Sequence, residues 1–114
     1  MDYQFENDWI QLTKKLAKTF EMDLDLQSVL FLIGVQELGV GFREFKKHEK
    51  MDLMHIAICR VLEPYGYYLY SGKDNDGWPH YDVIQKMPQL TSSEQEKLMK
   101  TAVLEYFSVA EEMI

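Results

Sequence analysis

The chain has 114 residues, of which 46% are hydrophobic and 27% charged, and its formal net charge is −7. This length suits one domain, and the composition is typical of a globular protein that buries an apolar core. The acidic total argues against nucleic-acid binding, which draws its affinity from Lys and Arg. We therefore expect a single domain over residues 1–114 and no nucleic-acid partner.

Cysteine content and hydropathy indicate the compartment. Cys59 is the only cysteine, so no disulfide can form within the chain, as is typical of proteins in a reducing environment. The longest apolar run, residues 29–35, has seven residues, whereas a membrane span needs about 20. No basic region followed by an apolar stretch opens the sequence, so we expect no secretory signal. A cytoplasmic protein without a membrane partner is the expectation.

Apolar residues at three- and four-residue spacing predict a first helix from about Glu6 to Phe20. The second helix begins at Asp23 or Asp25, either of which can accept hydrogen bonds from the first turn, and it ends at Gly39. Its apolar residues cover nearly every face, which predicts a central position in a bundle. Gly34 inside this helix costs about 1 kcal/mol relative to alanine, so we expect a closely packed neighbour there.

Residues that mark the beginning or end of a helix predict two more helices. The third extends from about His48 to Leu62, where Pro64 stops it. The fourth begins at Thr91, which together with Glu94 forms the pattern of a capping box. Cys59 lies in an apolar run of the third helix, so we expect a buried thiol that reacts slowly.

The segment between the third and fourth helices breaks the helical pattern. Tyr67–Ser71 and Trp78–Ile84 are predicted strands, and the aspartate- and glycine-containing stretch Lys73–Gly77 predicts the turn between them. The alternative is a short helix that begins at Pro79 and ends before Pro88. We expect a mainly α domain of about four helices around a central apolar helix, with a short β-hairpin or irregular excursion before the last one.

This segment is also rich in aromatic residues, and it supplies the candidate binding residues: Tyr68, Tyr70, Trp78, His80 and Tyr81. Tyr and Trp combine a large apolar area with a polar tip, which suits them to interfaces, although packing under the hairpin is an equal alternative. The leading hypothesis is a small module, not an enzyme, that binds a protein partner or a small ligand and can form a homodimer. An acidic inhibitor or immunity protein for a basic partner is a further hypothesis, based on size and charge.

Four residues of types that ligate metals follow one stripe of the third helix: His48, Asp52, His55 and Cys59. His48 and His55 are separated by about 10.5 Å of helix rise, so one ion cannot contact the whole stripe. Asp52 and His55 would need a third ligand, for which Glu37 and His80 are candidates. The alternative hypothesis is therefore a metal-dependent or acid–base enzyme that uses Asp52, His55 and His80 with a divalent metal. An ordinary interaction on the helix surface explains the same Asp–His pair.

Several short pieces of the sequence between Leu26 and Tyr81, namely QELG, DLMHIA, GYY and DGWPH, resemble a family of small uncharacterised bacterial proteins. The resemblance covers about half of the chain. It implies neither an activity nor site residues, so the functional hypotheses depend on the chemistry of the side chains.

Overall fold

The computed structural model describes residues 3–20, 24–41 and 43–112. The elements within them are α1 (Tyr3–Phe20), α2 (Leu26–Leu38), α3 (Lys47–Leu62), a 3-10 helix (Glu63–Tyr65), β1 (Tyr68–Lys73), β2 (Pro79–Val83) and α4 (Ser92–Glu112). The predicted mainly α fold, with four helices and a hairpin before the last of them, is confirmed. Contacts divide the chain into two compact units, Met1–Val29 with Leu90–Ile114 and Leu30–Gln89. The single domain over residues 1–114 stays a prediction.

The ends of α2 follow the local chemistry of the sequence. Asp25 accepts a hydrogen bond from the backbone N–H of Ser28 at 2.8 Å, and this bond holds the pKa of the Asp25 carboxyl below its usual value. Gly39 has a φ of 78° and donates its N–H to the carbonyl of Val35 at 3.1 Å, which confirms it as the C-terminal cap. The other predicted start, Asp23, lies outside the described residues.

The first unit contains α1 and α4, which contact one another. The predicted capping box opens α4, because the N–H of Glu94 donates to Thr91 Oγ1 at 3.1 Å and the N–H of Thr91 donates to Glu94 Oε1 at 2.9 Å. Further along α4, Lys97 and Lys100 place their ammonium groups 5.5 Å and 5.2 Å from the ring centres of Phe5 and Trp9. These cation–π contacts join α4 to two aromatic side chains of α1.

The second unit contains a close approach between α2 and α3. Gly34 is buried, and a Cβ atom added to it would meet the backbone carbonyl of Leu53, with the Leu53 Cβ at 2.9 Å. The predicted close neighbour of this glycine is therefore confirmed. The core beside it consists of Val35, Leu38, Phe45 and Leu53, with Phe31 and Trp78 packed against them. No helix among the described residues has both the length and the apolar character needed to cross a membrane.

The hairpin is confirmed, and the alternative short helix is not formed. β1 and β2 pair antiparallel, with Tyr70 opposite Tyr81 and Gly72 opposite His80. A bulge between Tyr70 and Gly72 interrupts the register, and Gly72 has a φ of 114° that favours glycine. β1 thus begins one residue later than predicted and extends through the bulge to Lys73.

Candidate functional site

A cleft of about 440 Å³ lies between α3 and the hairpin, within the second unit. The side of α3 contributes His48, Glu49, Asp52, His55, Ile56 and Cys59. The side of the hairpin contributes Asp74, Asp76, Trp78, Pro79, His80 and Tyr81. These residues include all three histidines of the sequence, and within the described chain no lysine or arginine lines the cleft.

Asp74 organises the hairpin side of the cleft. Its Oδ1 accepts hydrogen bonds from the backbone N–H groups of Asp76 at 2.9 Å and Trp78 at 3.0 Å, while its Oδ2 lies 2.9 Å from His80 Nε2. The hydrogen bond to His80 and then the bond from Trp78 hold the pKa of the Asp74 carboxyl below its usual value. One carboxylate therefore fixes both the turn and the orientation of the His80 ring.

Trp78 and Tyr81 give the cleft its aromatic surface. Trp78 is half-buried, because part of its ring packs against the core beside α2. Tyr81 is also half-buried, and burial raises the pKa of its hydroxyl to about 12. Its ring stands edge-on to Tyr70, with 5.5 Å between the ring centres. Both aromatic side chains of the cleft are thus held in place by neighbours.

Three of the five predicted binding residues line the cleft, and the other two lie beside its residues. Trp78, His80 and Tyr81 line the cleft. Tyr70 instead lines a second cavity of about 230 Å³, which Tyr81 also borders. Tyr68 packs its ring edge-on against His55, with 6.4 Å between the ring centres.

The three predicted metal ligands, Asp52, His55 and His80, all line the cleft. The Nε2 atom of His55 lies 3.5 Å from Cys59 Sγ, however, and the same atom of His80 is bonded to Asp74. In the part of the chain that the structure describes, no group of three or more His, Cys, Asp or Glu residues is arranged to hold a metal ion. The fold brings the three side chains to one cleft without assembling them into a metal-binding group.

Glu37, the other candidate ligand, lies away from the cleft. Its Oε1 is 3.1 Å from Nε of Arg60, and both residues line the second cavity beside Tyr70. The ion pair supplies Glu37 with a positive partner. It does not bring the Glu37 carboxylate to His55 or His80 in the cleft.

Cys59 is buried, as predicted, with 1% of its surface exposed. Burial raises the pKa of its thiol to about 11. The nucleophilic form of cysteine is the thiolate, so this side chain is unsuited to act as a nucleophile near neutral pH. The contact with His55 is therefore one between a neutral thiol and an imidazole.

Native Cys59 is expected to react with iodoacetamide at least a hundredfold more slowly than Cys59 in the same protein unfolded by guanidinium. Burial raises the pKa of the thiol to about 11, which lowers the thiolate fraction at pH 8 about a hundredfold relative to a free cysteine, and burial also restricts access of the reagent. The measurement is the labelling rate at pH 8, followed by mass spectrometry. Equal rates in the native and unfolded protein would contradict burial of the thiol.

The roles of Asp74 and Asp76 were missed by sequence reasoning, which assigned both residues to a turn alone. A signal was present, because a turn over Lys73–Gly77 brings the residues at its start close to the first residues of the following strand. Asp74 and His80 are such residues. The pairing of Lys73 with Pro79 places them close enough to bond.

No family model, curated protein or solved structure matches the chain. What the cleft can do must be inferred from its own side chains. These supply aromatic surface, imidazole rings and carboxylates within a volume suited to a small molecule.

Proposed function

We propose that the protein is a binding module that holds a small organic ligand in the cleft between α3 and the hairpin. The observation that carries this proposal is that Trp78 and Tyr81 line one cleft of about 440 Å³. Sites for small molecules typically measure about 300–1,000 Å³ and combine aromatic walls with a few polar groups. The cleft has such a volume and an aromatic wall, and it is richer in polar side chains than most sites of this kind, since seven of its lining residues are His, Asp or Glu.

The fixed positions of the cleft residues support the same function. Asp74 bonds the backbone of Trp78 and the ring of His80, and the core beside α2 braces the indole. A ligand then does not have to order these side chains when it binds. Ordering one flexible side chain costs about 0.5–1.5 kcal/mol, so a preformed site gains affinity.

The test is a titration of ¹⁵N-labelled protein with three single-ring probes: neutral benzyl alcohol, cationic benzylamine and anionic benzoate. We expect at least one of them to shift the amide signals of residues 48–59 and 74–81 with a dissociation constant of about 1 mM, which is usual for so small a ligand. The proposal is wrong if none of the three probes shifts these signals at concentrations up to ten times that value.

A matched pair of variants locates the binding. Asp52 is exposed at the cleft, so Asp52→Trp should fill the mouth and abolish the shifts without disturbing the core. Asp82→Trp makes the same change at an exposed position of β2 that does not line the cleft, and it should leave binding unchanged. Equal losses in both variants would place the binding elsewhere.

A further inference from the structure

We infer that the ligand of this cleft is a small organic cation, in which an ammonium group is attached to an aromatic or alkyl body. The inference rests on the function proposed above and specifies its ligand. It is carried by the combination, within one cavity, of an indole ring and unpaired carboxylates, with no Lys or Arg among the described residues that line it.

The carboxylates that line the cleft differ in whether they already have hydrogen-bond or ion-pair partners in the protein. Glu49 accepts the backbone N–H of Lys46 at 2.9 Å and bonds Arg43 at 3.0 Å, and Asp74 is occupied by the turn and His80. Within the described residues, the carboxylates of Asp52 and Asp76 have neither a hydrogen-bond nor an ion-pair partner. Two carboxylates thus remain available to a ligand.

The two available carboxylates belong to opposite sides of the cleft. Asp52 is on α3, while Asp76 is in the turn between β1 and β2, two residues before Trp78. An ammonium group has three donors and can bond carboxylates from two directions. A ligand that enters between α3 and the turn therefore meets negative charge on both sides.

Trp78 adds the second element of cation recognition. Indole is the strongest aromatic partner for a cation, because the face of the ring carries negative electrostatic potential. The same ring offers apolar area to the body of the ligand. A neutral ligand would lack the electrostatic attraction to the carboxylates and to the indole face, and an anion would be repelled by the carboxylates of the cleft.

The test compares the dissociation constants of the three probes at about pH 8, where histidine is ordinarily neutral and benzylamine is a cation. Benzylamine should bind at least tenfold more tightly than benzyl alcohol, and benzoate should bind more weakly than either. Equal binding of benzylamine and benzyl alcohol would overturn the inference and leave the proposed function standing. Absence of binding by all three would overturn both.

The carboxylates are tested with variants that keep side-chain shape. In the double variant Asp52→Asn with Asp76→Asn, the dissociation constant of benzylamine should rise at least tenfold. The dissociation constant of benzyl alcohol should stay within twofold of its value in the parent protein. Asp82→Asn removes the same charge from an exposed position outside the cleft and should change neither constant more than twofold. An unchanged benzylamine constant in the double variant would contradict the inference.

A final probe separates a free small molecule from the lysine of a partner protein. Nα-acetyl-lysine-N-methylamide carries the same ammonium group on the side chain that a protein would offer. Benzylamine should bind more tightly, because its ring adds contacts with Trp78. Binding of the lysine probe alone would indicate a protein partner and overturn the small-molecule assignment.

Discussion

Gly34→Ala is expected to lower the free energy of unfolding by about 3 kcal/mol or more, which is the upper end of the usual cost of overpacking. The added Cβ would meet the backbone of Leu53, with its carbonyl carbon at 2.7 Å and its Cβ at 2.9 Å. Neither atom belongs to the flexible end of a side chain, so the helices themselves would have to separate. Alanine gains about 1 kcal/mol of helix propensity, which offsets only part of this cost.

The matched control for this change is Gln36→Ala, because Gln36 is exposed on the same helix two residues further along. Its free energy of unfolding should stay within about 0.5 kcal/mol of the parent protein. Urea denaturation of both variants measures the difference. A Gly34→Ala protein as stable as the parent would show that α2 and α3 do not approach closely at this position.

The features that sequence could predict are those set by neighbouring residues. The capping box of Thr91 and Glu94, the cap at Gly39 and the turn around Gly77 each depend on chemistry within a few residues. Gly34, a glycine inside an apolar helix, also indicates a close contact with a neighbouring element, although the sequence does not identify that element. Local hydrogen-bonding rules and backbone sterics are sufficient for such features.

Sequence could not predict which elements would face one another. Helical periodicity placed His55 and Cys59 on one stripe of α3, but only the folded chain brings Trp78 and His80 across from them. The separation of Tyr70 from the cleft depends on the strand register and the bulge that follows it. Register and packing between distant segments are set by the whole core, which a local pattern does not contain.

Residue types alone are compatible with both the binding hypothesis and the enzyme alternative, and the structure adds which hydrogen bonds each of those residues already makes. Asp74 illustrates the difference, because its two oxygens are already occupied by the turn and by His80. Asp52 has the same chemistry and, within the described residues, an unpartnered carboxylate. A carboxylate can bond a ligand directly only through oxygen lone pairs that the protein's own donors have not already occupied.

Ile33→Ala is expected to lower the free energy of unfolding by about 2–5 kcal/mol, the usual cost of truncating a buried aliphatic side chain. Ile33 has 1% of its surface exposed, so its truncation would leave a cavity within the core. Ile84→Ala is the matched control: the same atoms are removed from a residue 55% exposed, so the loss should stay below about 1 kcal/mol. Urea denaturation of both variants gives the comparison, and the free energy of unfolding should fall with urea concentration at the same rate in each. Similar small losses at the two positions would mean that α2 contributes little to the core, whereas a large loss at Ile33 alone ties the stability of the second unit to this helix.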